Sequence, residues 1–180
     1  VENFNRGVGQ VKAENFEKAL EFFTNCQVID PDRTDAYKNV AFVYMRLDSA
    51  DQAIASYNQV LEYDPKDTQV MLQLSSLYYD LEEYDKTVEL MDKILELEPN
   101  NLEAFSQKAF AYDSMGKPDE AFQAYNEALE QNPDNADLLF NLGRLYYMKK
   151  DYKKAIEQFE KVLTISPDDY EATLNIGNAY

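Results

Sequence analysis

Apolar residues recur along this chain at the spacing of one helix face. Tyr37, Val40, Ala41 and Tyr44 fall at i, i+3, i+4 and i+7. After a break at Leu47-Asp48-Ser49-Ala50, Ala53, Ile54, Tyr57, Val60 and Leu61 do the same. Each set is a single apolar stripe and predicts an amphipathic helix. Prolines punctuate the pattern. Pro31, Pro65, Pro99, Pro133 and Pro167 are each 34 residues apart, with only Pro118 out of register. Proline lacks an amide hydrogen and ends helices, so these positions predict turns between helical segments. The predicted unit is a helix, a tight turn, a second helix and a Pro-containing turn.

Other columns share the interval. Gly7, Ala41, Ser75, Ala109, Gly143 and Gly177 are all small, and Tyr44, Tyr78, Tyr112, Tyr146 and Tyr180 are all tyrosine. Ala19, Ala53, Ala121 and Ala155 repeat as alanine, with Thr87 the exception, while Phe23, Tyr57, Met91, Tyr125 and Phe159 are large and apolar. The small columns are expected where two helices approach closely and the large rings fill the gap.

This pattern resembles the tetratricopeptide repeat family over the whole chain, with its 34-residue helix-turn-helix period. The run Leu139, Leu142, Gly143, Tyr146, Ala155, Phe159, Val162 and Pro167 carries the family pattern through one unit. The resemblance implies an all-α, right-handed superhelical solenoid. It is read as a single array over residues 1–180, with repeats at 1–33, 34–67, 68–101, 102–135 and 136–169 and the first helix of a sixth at 170–180. In the first unit, Asn3, Arg6 and Gln10 stand where later units have apolar residues, so its first helix is expected to pack poorly.

Composition narrows the chemistry. The chain has 34 acidic and 17 basic residues, a formal charge of −17, no histidine, no tryptophan and one cysteine. Without histidine there is no imidazole acid–base chemistry and no His-ligated metal. One cysteine cannot close an internal disulfide, and Cys26 shares its stripe with Phe22 and Phe23, so a buried structural thiol is expected. The acidic surface repels phosphate backbones, which argues against a nucleic-acid partner. No apolar run approaches the length of a membrane span. The start, Val1-Glu2-Asn3-Phe4, has no initiator Met and no signal pattern and reads as the edge of an excised piece; cytoplasm is the expected compartment. No catalytic residue, metal site or cofactor is expected, and the chain is not expected to be an enzyme. The third and fourth units carry the heaviest acidic excess, whereas Lys149, Lys150, Lys153, Lys154 and Lys161 balance the acids of the fifth.

The family is a peptide- and protein-binding scaffold, and the resemblance implies that role, with the polar side of the first helices lining a concave surface. One column of that side is a side-chain amide in every unit: Asn5, Asn39, Gln73, Gln107, Asn141 and Asn175. An amide both donates and accepts, so a row of them matches a peptide backbone whatever its sequence. The alternative is an amide that caps or bridges neighbouring helices. Lys38, Phe42, Arg46, Ser76, Tyr79, Phe110, Asp113, Phe140, Arg144 and Tyr147 flank the row and would set specificity. Asp35, Glu103, Asp137 and Glu171 form an acidic column in the first helical turns. It stabilises the helix dipole and would also favour a basic peptide. The expected function is a non-catalytic scaffold holding an extended segment or a partner helix. The runner-up is a structural scaffold that self-associates through its end helices and groove, forming a homo-oligomer through the C-terminal helix, where Leu174, Ile176 and Tyr180 are only partly covered.

Overall fold

The computed structural model describes residues 2–180. Every regular element among them is a helix: α1 (Glu2–Lys12), α2 (Phe16–Ile29), α3 (Thr34–Arg46), α4 (Ala50–Tyr63), α5 (Thr68–Asp80), α6 (Tyr84–Leu97), α7 (Leu102–Ser114), α8 (Pro118–Gln131), α9 (Ala136–Met148), α10 (Tyr152–Ile165) and α11 (Tyr170–Ala179). The fold class is all-α, of the helix-turn-helix solenoid kind. The chain gathers into two compact units, one ending at Glu82 and the other spanning Glu83–Tyr180.

Local chemistry sets the helix ends. Two residues after their prolines, Asp67, Asn101, Asn135 and Asp169 accept a hydrogen bond from the backbone N–H of Val70, Ala104, Leu138 and Ala172. Each satisfies one of the orphan donors of a helix start. The α2–α3 turn departs from this rule: Arg33 stands at the cap of α3 and makes no capping bond. The tight turns inside the pairs form a second column. Glu14, Asp48, Glu82, Gly116 and Lys150 all have positive φ. In the α3–α4 turn, the Ser49 N–H then reaches back to the Tyr44 carbonyl at 2.9 Å, as a left-handed residue at a helix end permits.

The helix pairs close on the small columns. Ala19, Ala53, Ala121, Ala155 and Thr87 are completely buried. Gly7 faces Phe23 so closely that a Cβ would lie 2.6 Å from the ring, and at Gly143 the same atom would lie 2.7 Å from the Phe159 ring. Where the small residue is Ala41 or Ala109, the large residue at the same register is Tyr57 or Tyr125, and all four are buried. In the first unit Ala19, Phe23, Val40 and Val43 form a core cluster. In the second, one cluster gathers Phe105, Tyr125, Leu138 and Leu142, and another gathers Leu139, Ala155, Phe159 and Val162.

One sequence expectation fails at α1. Rather than packing poorly, α1 keeps Gly7 against Phe23 and packs Phe4, Val8 and Val11 onto the core cluster; Phe4 meets Phe23 edge-on at 5.6 Å, and Phe140 in the same column of α9 meets Phe159. The polar residues at 3, 6 and 10 misled because only Gly7 of the usual stripe is used, and the rest of the contact comes from its neighbours. Cys26 is a buried free thiol, as expected.

Candidate functional site

In the first unit the candidate side chains lie on α3 and α5. Lys38, Asn39 and Tyr79 are half-buried, while Phe42, Arg46, Gln73 and Ser76 are exposed. In the second they lie on α7, α9 and α11. Gln107, Phe110, Asp113, Phe140, Asn141, Tyr147 and Asn175 are half-buried and Arg144 is exposed. None belongs to the buried core, because the core positions of the same helices, such as Ala36, Val40 and Ala41 in α3, take the opposite side.

Three of the amides bond within their own helices. Asn39, Asn141 and Asn175 each donate one N–H to the backbone carbonyl four residues back in their own helix, to Asp35, Asp137 and Glu171 at 2.7–2.8 Å. Gln107 is too long for that bond and meets the Glu103 side chain at 3.3 Å. The back-bond uses one of the four hydrogen-bonding positions of an asparagine amide and leaves its oxygen and second N–H for other partners. On Asn141 the oxygen also accepts from Arg144 at 3.3 Å.

The charged and aromatic side chains are held differently in the two units. In the first, the cations are engaged. Lys38 pairs with Asp67, Arg46 lies over the Phe16 ring at 5.6 Å, and Arg33 forks onto Asp35 at 2.7 and 3.1 Å. That hydrogen bond pushes the Arg33 guanidinium above its ordinary pKa. Phe42 is 44% exposed and Met45 43% exposed, and the Met45 sulfur accepts from the Tyr57 hydroxyl at 3.3 Å. Burial raises the Tyr57 pKa and keeps that hydroxyl a donor. In the second unit the rings are locked. Phe110 meets Tyr125 at 6.0 Å, Phe140 meets Phe159 at 5.5 Å and Tyr147 meets Tyr152 at 5.3 Å. These anchors, one helix away, were missing from the sequence reading; the matching 34-residue columns were the available signal. They explain part of the aromatic surface as packing. Asp113 and the first-turn acids Asp137 and Glu171 have no cation within ion-pair distance among the described residues.

No group of metal-ligating side chains occurs among the described residues, and no described helix is long and apolar enough to cross a membrane.

Comparison with known proteins agrees with this geometry. The MamA protein is similar in structure, with a TM-score of 0.73 and 28% identity, covering 82% of this chain and 80% of that one. A tetratricopeptide repeat protein from Parabacteroides merdae has a TM-score of 0.85 at 19% identity, covering 99% of this chain and 71% of its own. YrrB, described as a TPR protein with an unusual peptide-binding site, has a TM-score of 0.76 at 24% identity, covering 97% of this chain and 90% of its own. No curated protein matches the chain by sequence. Tetratricopeptide-repeat sequence profiles match residues 10–73, 48–109 and 107–179. The chain belongs to the tetratricopeptide repeat family, whose fold is a protein-interaction scaffold.

Proposed function

We propose that the first-helix faces bind an extended peptide segment without catalysis, and that the second unit favours a segment carrying Lys or Arg. The observation that carries the reading is the state of the asparagines. Asn141 and Asn175 bond within their own helix, each through nitrogen to a backbone carbonyl, and the Asn141 oxygen carries only one long bond from Arg144, so acceptor positions remain at the surface in a repeated register. A repeated acceptor suits a repeated donor, and the peptide backbone is one. The uncompensated Asp113, Asp137 and Glu171 supply the preference for a cation. Engaged cations in the first unit leave no set for gripping a terminal carboxylate there.

The test is a peptide array followed by titration of its best hits. Asn141→Ala weakens a hit by about 0.5–1.5 kcal/mol, the worth of one neutral hydrogen bond. Asp137→Asn selectively weakens the hits that contain Lys or Arg. Hits indifferent to both substitutions would remove the reading.

A second reading rests on α11. On this helix Tyr170 is 75% exposed and Leu174 48% exposed. Self-association through this helix is the corresponding reading. Light scattering over a concentration series checks it, and a mass that stays monomeric throughout excludes it.

A further inference from the structure

The opposite side of the second unit carries a hollow of about 430 Å³ where α8, α9 and α10 meet. Its floor is apolar: Leu139 and Leu142 from α9, Leu129 from α8 and the Tyr146 ring. Gln158 on α10 enters this floor. It is only 9% exposed, an unusual burial for a glutamine, and its oxygen accepts from the Lys161 ammonium at 3.3 Å. Its amide nitrogen has no hydrogen-bond partner among the described residues. Lys161 has no carboxylate within ion-pair distance among them either, although the chain as a whole is strongly acidic. Glu130 is the one anion of the lining and comes from the other wall, on α8.

The register shows that this chemistry is local. A hollow of about 260 Å³ occupies the same place in the first unit, with Gln27, Tyr37, Val40, Tyr44, Ser56 and Gln59 at the positions of Leu129, Leu139, Leu142, Tyr146, Gln158 and Lys161. There the residues matching Gln158 and Lys161 are neutral and engaged: Ser56 donates to the Gln52 carbonyl at 2.8 Å and Gln59 to Glu62 at 2.8 Å. At the α7–α8 register the space shrinks to about 80 Å³, and its cation, Lys108, is paired with Asp92 at 2.6 Å. Of these three hollows, the one on α10 combines an apolar floor with an amide donor that makes no hydrogen bond and an ammonium that no carboxylate holds.

We propose that this hollow is a second binding site, which takes the C-terminal apolar residue of a partner chain. A C-terminal residue carries its side chain and its carboxylate on one Cα, and the hollow offers both matches within one residue's reach. The side chain settles on Leu129, Leu139, Leu142 and Tyr146. The carboxylate takes the Gln158 N–H and the Lys161 ammonium, which among the described residues otherwise meets only the neutral Gln158 oxygen. Glu130 on the other wall suits a backbone N–H of the residues just before the terminus. An internal apolar residue would leave the Gln158 donor and the Lys161 charge unmatched, and burying a donor unmatched is costly.

The experiment titrates the chain with the peptide acetyl-Gly-Ser-Gly-Ser-Leu, as the free acid and as the C-terminal amide, followed by amide NMR. The free acid is expected to shift signals of α8–α10, and the amide to bind about tenfold more weakly, the loss of one charge-assisted hydrogen bond. Lys161→Glu on the exposed rim, and Gln158→Leu, which keeps the apolar packing, each reduce free-acid binding by about the same factor. Asn141→Ala, on the other side of the unit, leaves it unchanged, so loss of the peptide-groove reading and loss of this one are told apart. Equal binding of acid and amide, shifts confined to the first-helix face, or no shifts at millimolar peptide would each overturn the proposal.

Discussion

The helix pairs α3–α4 and α9–α10 hold the same place in their repeats and close by different means. In the first, Ala41 stands opposite Tyr57, whose hydroxyl runs out to the Met45 sulfur. In the second, Gly143 stands opposite Phe159, whose ring has no polar end and sits where a Cβ would be, 2.7 Å away. Phe140 then leans on that ring from the surface side. The caps differ too, since α9 is capped by the Asn135 side chain and α3 by none. A repeat therefore conserves the volume of the contact rather than the residue that fills it. When the first helix gives up a methyl group, the second moves a ring into the space, and the half-buried surface aromatic packs against that ring.

The contact itself gives the largest test. Gly143→Ala should cost about 1–3 kcal/mol from overpacking, despite the roughly 1 kcal/mol that alanine gains over glycine inside a helix. Ala41→Gly should cost about 1 kcal/mol from the same propensity with the sign reversed. Urea unfolding midpoints measure both. A stabilised Gly143→Ala would mean that Phe159 has room to retreat, and the contrast between the pairs would collapse.

The caps sharpen the comparison at a smaller scale. Asn135→Ala removes a side-chain cap and should cost about 1 kcal/mol. Arg33→Ala removes no cap, only the ion pair with Asp35 and the stacking of its guanidinium over the Phe4 ring at 4.3 Å, so it should cost less than the cap does. Equal losses would show that Arg33 serves α3 as a cap by another route. The smallest effect is expected at the tight turns, where Lys150 and Asp48 both hold positive φ. Glycine there should add roughly 0.5 kcal/mol in either pair, since only the left-handed strain is relieved.

Much of this was legible before any coordinates. The prolines and the small and large columns gave the helix order, because packing between neighbouring repeats forces the same size at the same register. The polar side of the first helices was legible for the same reason: Asn39, Gln73, Phe110 and Asn141 all fall outside the stripe. What stayed hidden depends on which of several adequate neighbours a side chain chooses. The packing of α1 through Phe4, Val8 and Val11 was hidden because positions 3, 6 and 10 of its stripe are polar. The capping residues Asp67, Asn101, Asn135 and Asp169 lay in plain view at the repeat interval, but a short polar residue after a proline also suits an ordinary turn. Gln158 gave no periodic signal, since Phe22, Ser56, Leu90 and Ala124 share its column and none of them carries an amide.

The back-bonded asparagines have a thermodynamic side. A surface side chain ordinarily samples several rotamers, and a partner that fixes one of them takes on an entropic cost of about 0.5–1.5 kcal/mol per side chain. Asn39, Asn141 and Asn175 are already tethered to their own helices. Their loss of freedom belongs to folding, so an incoming chain meets acceptors that are already aimed.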